Sequence, residues 1–77
     1  MINKIFISIN KEKPNAFVTL TELSGLAKER EIEIVEDLSE AQCIISLGGD
    51  GTFLYAAHSA IENNIPLLGI NLGRFGF

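Results

Sequence analysis

The stretch Leu47-Gly48-Gly49-Asp50-Gly51-Thr52-Phe53-Leu54 decides the fold, because three glycines in four positions stand where a strand must give way to a helix. Before it lies a short apolar run, residues 43–47, whose length and β-branched content predict a buried strand. After it, apolar side chains recur at helical spacing over residues 53–63. Glycine has no Cβ, so it can take a positive φ and lets a backbone or a ligand approach closely. The stretch therefore predicts a tight turn from strand to helix.

Asp50 is the one carboxylate in this glycine turn, and it permits two interpretations. The N–H groups and the positive dipole end at a helix N-terminus suit phosphate. A carboxylate repels phosphate, so an acid at this place suggests chemistry or metal binding. The alternative is that the turn is only a glycine-rich connection, in which Asp50 or Thr52 caps the helix.

Two motifs carry a resemblance to a known family. Residues 48–52, Gly-Gly-Asp-Gly-Thr, followed by Phe53 and Leu54, resemble the signature shared by NAD kinases, diacylglycerol and sphingosine kinases, and phosphofructokinases. Residues 69–77, Gly-Ile-Asn-Leu-Gly-Arg-Phe-Gly-Phe, are similar to the glycine-rich turn after the next strand in NAD kinases, with Phe75 where leucine is usual. The different turn that lipid kinases carry there is absent. The chain thus resembles the N-terminal segment of an NAD kinase.

That resemblance implies phosphoryl transfer from ATP (polyphosphate in some members) to the 2′-hydroxyl of the adenosine ribose of NAD, giving NADP. Asp50 matches the family's proton acceptor, and Phe77 matches an aromatic that packs against the adenosine. The residues expected to bind the nucleotides are Gly48, Gly49, Asp50, Gly51, Leu54, Gly76 and Phe77. The resemblance leaves two alternatives open, a lipid kinase segment of diacylglycerol type and a non-catalytic, truncated nucleotide-binding module.

The charge of the phosphates requires partners that the motifs do not supply. No G-x-x-x-x-G-K-[ST] motif occurs, so the chain lacks a Walker lysine. We therefore expect Mg²⁺ and residues further along a longer chain to neutralise the phosphates. One carboxylate cannot make a metal site by itself.

Length and composition limit what these 77 residues can be. The apolar fraction of 47% and the mean hydropathy of +0.27 are high for so short a chain. We expect residues 1–77 to be the N-terminal part of a nucleotide-binding domain, inactive alone, without the family's C-terminal all-β domain. The full-length form is expected to be a homo-oligomer.

Charge and targeting signals exclude several classes of protein. The net charge of −4 argues against a nucleic-acid-binding surface, which requires a basic stripe. A single cysteine, Cys43, excludes an internal disulfide and is compatible with a reducing compartment. Neither a signal peptide nor an apolar run long enough to cross a bilayer is visible. We expect a cytoplasmic protein without membrane partners.

The order of apolar patterns predicts the α/β class, as a partial Rossmann-like domain with a largely parallel sheet and helices on its faces. The predicted order is β-α-β-β-α-β, with strands at residues 2–9, 31–36, 43–47 and 66–70 and helices at 15–29 and 52–63. The second strand alternates charge with isoleucine, which is typical of a sheet edge. Ligands of such sheets bind beyond the carboxyl ends of the strands. Both glycine turns lie at such ends, so we expect them to form one site.

The same patterns predict details of packing. Gly25, inside the first helix, is expected to mark close contact with a strand. Ser39 and Gln42 have the spacing of a small capping box. The stripes expected to pack on the sheet are Phe17, Leu20, Leu23 (or Ser24) and Ala27 in the first helix, and Phe53, Leu54, Ala57, Ala60 and Ile61 in the second.

Other reactive side chains are interpreted first in structural terms. His58 is expected to be a packed or surface histidine and Cys43 a buried, inert thiol. Tyr55 stands where some relatives have a basic side chain, which weakens a phosphate contact there. Arg74 is either a solvated loop residue or a phosphate partner, and Asn71 either binds the nucleotide or orders its own turn. Residues 10–14 form a polar connection to which the sequence assigns no role.

Overall fold

A computed structural model describes residues 1–72 of the chain. The expectations for Arg74, Phe75, Gly76 and Phe77 lie outside the described residues. The described elements follow the predicted order, with one single-turn 3-10 helix at Leu38–Glu40. They are β1 (Lys4–Ile9), α1 (Ala16–Glu29), β2 (Glu33–Ile34), β3 (Cys43–Gly48), α2 (Asp50–Asn63) and β4 (Leu67–Asn71).

The four strands form one sheet in the order β2-β1-β3-β4, and every neighbouring pair is parallel. The α/β prediction is therefore confirmed. β3 lies at the centre, paired with β1 from Cys43 to Leu47 and with β4 from Ile44 to Gly48. Parallel strands need crossover connections, and α1 and α2 serve as crossovers. All carboxyl ends consequently lie at the same edge of the sheet.

Alternating side chains of β3 divide the core between the two faces of the sheet. Ile45 and Leu47 lie in the cluster that receives Leu20 and Leu23 of α1. Ile44 packs on the other face against α2. Ile5, Ile7 and Ile9 of β1 share the α1 face, while Phe6 shares the α2 face. One helix covers each face, as the uninterrupted apolar run of β3 predicts.

The strand β2 is an edge strand, as predicted, but it has two residues rather than six. Asp37 accepts hydrogen bonds from the backbone N–H and the hydroxyl of Ser39, which turns the chain away from the sheet. These bonds also hold the pKa of the Asp37 carboxyl below its usual value. The predicted capping box is wrong, because the Gln42 side chain instead accepts from the N–H groups of Asn3 and Lys4.

The packed face of α2 is rotated from the predicted stripe, whereas that of α1 follows its predicted stripe at all positions but one. In α2 the buried residues are Ala56 and Ala60, whereas Leu54 and Ile61 are 63% and 78% exposed. Small alanine side chains let the helix axis approach the sheet, so the larger residues flank the contact. In α1 the predicted Leu20, Leu23 and Ala27 are packed, together with Ala16. The prediction for Phe17 is wrong, because this side chain is exposed.

The prediction for Gly25 is also wrong, because no heavy atom would lie within 4 Å of a Cβ added there. The left-handed conformations among the described residues belong to Asn15, Glu31 and Asn64, and none belongs to a glycine. Neither helix in residues 1–72 is long and apolar enough to span a membrane.

Candidate functional site

The carboxyl ends of β3 and β4 meet at one edge of the sheet and form a cavity. Gly48 pairs with Asn71 in the strand register, and the N–H of Leu72 donates to the Gly48 carbonyl at 2.9 Å. The cavity has a volume of about 160 Å³ and is open to solvent. Its lining residues are Gly48, Gly49, Asp50, Phe53, Gly69, Ile70 and Asn71. The first glycine turn and the start of the second therefore share one cavity.

Asp50 is the first residue of α2, two positions before the predicted start of that helix. The N-cap is Gly49, in an extended conformation, and no side chain caps the helix. The interpretation of Asp50 or Thr52 as a mere helix cap is therefore wrong. The Asp50 residue is exposed and lines the cavity, and a carboxylate in the first helical turn is favoured by the helix dipole.

The backbone bonds of this turn leave its first amides available. The helical ladder of α2 begins with the bond from the Phe53 N–H to the Gly49 carbonyl, at 3.0 Å. The N–H groups of residues 50–52 precede that bond, and the first N–H groups of a helix have no intrahelical acceptor. The turn thus places one carboxylate beside several backbone donors.

Two glycines of the site are needed because side chains of α2 occupy the space that a Cβ would take. A Cβ on Gly48 would lie 2.5 Å from the Thr52 hydroxyl oxygen. A Cβ on Gly69 would lie 2.5 Å from the Phe53 ring. None of the described glycines has a positive φ, so these two are required by close packing and not by a left-handed backbone. A Cβ on Gly51 would meet no atom of another part of the chain within 4 Å, so its outer side is open.

Lys13 is the residue of this region that the sequence patterns missed. The first hydrogen bond of the β1–α1 connection, from the Asn10 N–H to the Leu47 carbonyl at 2.9 Å, fixes the connection beside the end of β3. A Cβ on Gly49 would lie 3.4 Å from both Cε and Nζ of Lys13. The sequence did contain a signal for Lys13, because it follows the predicted first strand. The carboxyl ends of parallel strands lie at the same edge of the sheet, so a residue there can reach the glycine turn.

The remaining predicted residues lie apart from the cavity. Leu54 follows the glycine turn but is exposed and does not line the cavity. Tyr55 and His58 are exposed on α2, which agrees with a surface histidine. Cys43 is half-buried, and burial raises the pKa of its thiol, in keeping with an inert side chain. The expected contacts of Gly76 and Phe77 lie outside the described residues.

The described residues do not form a metal site of their own. Within residues 1–72, no group of three or more histidine, cysteine, aspartate or glutamate side chains is close enough together to hold an ion. Asp50 is the single carboxylate of the cavity. Mg²⁺ usually binds through one or two carboxylates together with waters and substrate phosphates. We therefore assign no magnesium ligand set to these residues.

A family model and individual relatives in other organisms are similar to this chain. The family model described as the ATP-NAD kinase N-terminal domain matches residues 5–77. An NAD kinase of Lachnoclostridium phytofermentans is 46% identical over 74% of this chain and 16% of its own length. An NAD kinase of Ruminiclostridium cellulolyticum is 37% identical over 97% of this chain and 26% of its own length.

A third relative extends the similarity across all 77 residues. An NAD kinase of Hydrogenovibrio crunogenus is 36% identical over 100% of this chain and 28% of its own length. The matches to this chain therefore cover only 16–28% of the length of these relatives.

Proposed function

The chain belongs to the NAD kinase family, and from that premise we propose that it supplies part of a site that transfers a phosphoryl group from ATP to the 2′-hydroxyl of the adenosine ribose of NAD. We place residues 1–77 in the N-terminal part of the nucleotide-binding domain of a longer protein. The three relatives described above are named NAD kinases, which supports this proposal over a lipid kinase.

The position of Asp50 is the observation that carries the proposal. Asp50 is the first residue of α2, at the edge of the sheet where β3 and β4 end. It lines the cavity between those strand ends. Ligands of parallel sheets bind at this edge. A carboxylate that served only to cap the helix would need no cavity beside it.

Asp50 is proposed to act on the acceptor hydroxyl. Its carboxylate accepts a hydrogen bond from the ribose 2′-hydroxyl, orients the oxygen toward the phosphorus and receives the proton late in the transfer. Phosphoryl transfer has a loose transition state in most analyses, so positioning and charge contribute more than strong base catalysis. Asp50 is therefore a positioning group as much as a base.

The glycines of the turn are proposed to let the nucleotide approach the backbone. Gly48, Gly49 and Gly51 carry no side chain that would block the backbone. Thr52 fills the space beside Gly48 and Lys13 lies beside Gly49, whereas a Cβ on Gly51 would meet open space. Leu54, Gly76 and Phe77 remain proposed nucleotide contacts from the family motif. Mg²⁺ bound with ATP would supply screening of the phosphate charge.

Replacement of Asp50 by asparagine in the longer protein tests the proposal. The amide retains the size of the side chain but cannot take the proton, so we expect kcat for NAD phosphorylation to fall by about 100-fold or more. The binding of NAD, measured by isothermal titration calorimetry, is expected to change by less than about threefold, because the asparagine oxygen still accepts a hydrogen bond.

Glu62→Gln is the matched control, since Glu62 is an exposed carboxylate near the other end of the same helix. This variant is expected to retain the parent kcat. A kcat of Asp50→Asn within a few-fold of the parent would show that the proposed proton acceptor is wrong.

A further inference from the structure

The glycine turn after β3 lies between the end of β4 on one side and the β1–α1 connection on the other. The β3–β4 side holds the cavity with Asp50. The β1 side holds the connection of residues 10–15, because β1 is the other neighbour of β3 in the sheet. A site that transfers a phosphoryl group between two nucleotides needs room for the acceptor and for the donor. One side of the turn carries the Asp50 carboxylate, and the other carries the Lys13 ammonium.

The β1 side presents a cation to the turn. Lys13 is half-buried, and its Cε and Nζ both lie beside the Cα of Gly49. The bonds from the Lys13 N–H to the Asn10 carbonyl and from the Ala16 N–H to the Lys13 carbonyl, each 3.2 Å, anchor its backbone on both sides. Glu12 N–H also donates to the Asn10 side chain at 3.0 Å. The connection is thus a bonded turn that holds the lysine over the glycine.

The Lys13 ammonium has no acidic partner within the described part of the chain. The one ion pair found in residues 1–72 joins Lys4 to Glu40, at 3.8 Å. Asp50 lies on the same turn, but its carboxylate forms no ion pair with Lys13. An ammonium that is held beside a glycine backbone without a carboxylate is available to an external anion.

The other described cations are poorly placed for this role. Lys28 and Arg30 lie at the C-terminal end of α1, which is at the opposite edge of the sheet. Lys4 starts β1 at that same opposite edge and is paired with Glu40. Lys11 belongs to the same connection as Lys13 but is exposed, and no glycine of the turn lies against it.

We propose that Lys13 binds the polyphosphate of the phosphoryl donor, which lies in the crevice between the β1–α1 connection and the glycine turn. The inference rests on the proposed function, because it places the donor on the β1 side of the turn and the acceptor on the Asp50 side. Gly49 separates the two, and its lack of a side chain lets the Lys13 ammonium reach the phosphates. Lys13 is a binding residue for the donor and takes no proton.

Steady-state kinetics of the longer protein with Lys13→Ala test this assignment, with Lys11→Ala as the matched control from the same connection. A charge-assisted hydrogen bond contributes enough that its loss is expected to raise KM for ATP about tenfold. KM for NAD is expected to stay within about twofold, because the acceptor lies on the other side of the turn. Lys13→Arg, which keeps the charge, is expected to recover most of the loss.

The assignment is overturned if Lys13→Ala and Lys11→Ala have the same KM for ATP, or if Lys13→Ala raises KM equally for ATP and NAD. It is also overturned if KM for ATP is no lower in Lys13→Arg than in Lys13→Ala. Thermal unfolding midpoints are measured for every variant. If Lys13→Ala does not fold, Lys13→Met, which keeps the packing of the aliphatic stem on Gly49, is judged by the same criteria.

Binding of inorganic tripolyphosphate, measured by calorimetry, separates this inference from the proposed function. If the parent protein forms no NADP, the proposed function fails, and the lysine is then judged by tripolyphosphate alone. Binding that is lost in Lys13→Ala and kept in Lys11→Ala supports the phosphate site. Equal binding by both variants, or none by the parent, overturns it.

Discussion

At the scale of single residues, two glycines of the candidate site serve packing. Gly48 leaves room for the Thr52 side chain, and Gly69 leaves room for the Phe53 ring. Both contacts tie α2 to the strand ends that form the cavity. The glycine motif is therefore partly a requirement of the fold.

Gly69→Ala is predicted to destabilise the longer protein because its methyl group would overlap the Phe53 ring. Overpacking of this kind costs about 1–3 kcal/mol. We expect a lower thermal unfolding midpoint, measured by calorimetry. Adding Phe53→Ala should make the alanine at position 69 nearly neutral relative to Phe53→Ala alone, because the overlapping ring is then absent.

Gly25→Ala is the matched control for this prediction, since its methyl group meets open space inside α1. It is expected to raise the midpoint, because alanine is favoured over glycine in a helix by about 1 kcal/mol. Equal midpoints for Gly69→Ala and Gly25→Ala would contradict the packing role of Gly69.

At the scale of elements, both helices end in the same backbone motif but with different residues. After α1, the N–H of Ile32 donates to the Ala27 carbonyl and that of Glu31 to the Lys28 carbonyl. After α2, the N–H of Ile65 donates to the Ala60 carbonyl in the same way, with Asn64 in the left-handed conformation. Asparagine tolerates this conformation, whereas Glu31 adopts it at a cost.

Glu31→Gly is therefore predicted to stabilise the protein. Glycine takes a left-handed conformation without the steric cost of about 1–2 kcal/mol that a side chain brings. Part of that gain is offset because glycine has more freedom in the unfolded chain. The expected result is a higher thermal unfolding midpoint.

The control for Glu31→Gly is Glu29→Gly, two residues earlier in the last turn of α1. There glycine replaces a residue with helical φ and ψ, so the midpoint is expected to fall. A decrease for both variants would show that the left-handed geometry at Glu31 is not costly.

At the scale of the whole molecule, the parallel strands bring the β1–α1 connection, the glycine turn and the end of β4 to one edge of the sheet. The glycine turn after β3 lies between the end of β4, which lines the cavity, and the β1–α1 connection, which carries Lys13. The cavity of about 160 Å³ is small beside the roughly 300–1,000 Å³ of typical ligand sites. The described residues therefore provide one wall of the proposed site.

The isolated 77-residue chain is predicted to have no kinase activity, because its matches cover only 16–28% of the length of the relatives described above. Incubation with ATP, Mg²⁺ and NAD, followed by enzymatic assay of NADP, is expected to give the background rate. The longer protein serves as the positive control. Turnover by the isolated chain above background would show that the acceptor site is more complete than proposed.

The amino-acid sequence by itself determined the class of the fold and the family. Apolar runs without alternation predicted buried parallel strands, and local glycine and proline positions separated them from the helices. The motif around Asp50 identified the family, because its residues are adjacent in the sequence and can be recognised without the structure. The boundaries of most elements were consequently predicted to within a few residues.

Only the tertiary structure decided which side chains meet. The packed face of α2 follows Ala56 and Ala60 rather than the larger Leu54 and Ile61, because the distance between helix and sheet selects small residues. Lys13 and Gly49 are 36 positions apart and become neighbours only because β1 pairs with β3. Contacts of this kind depend on strand order, which a local pattern of residues does not contain.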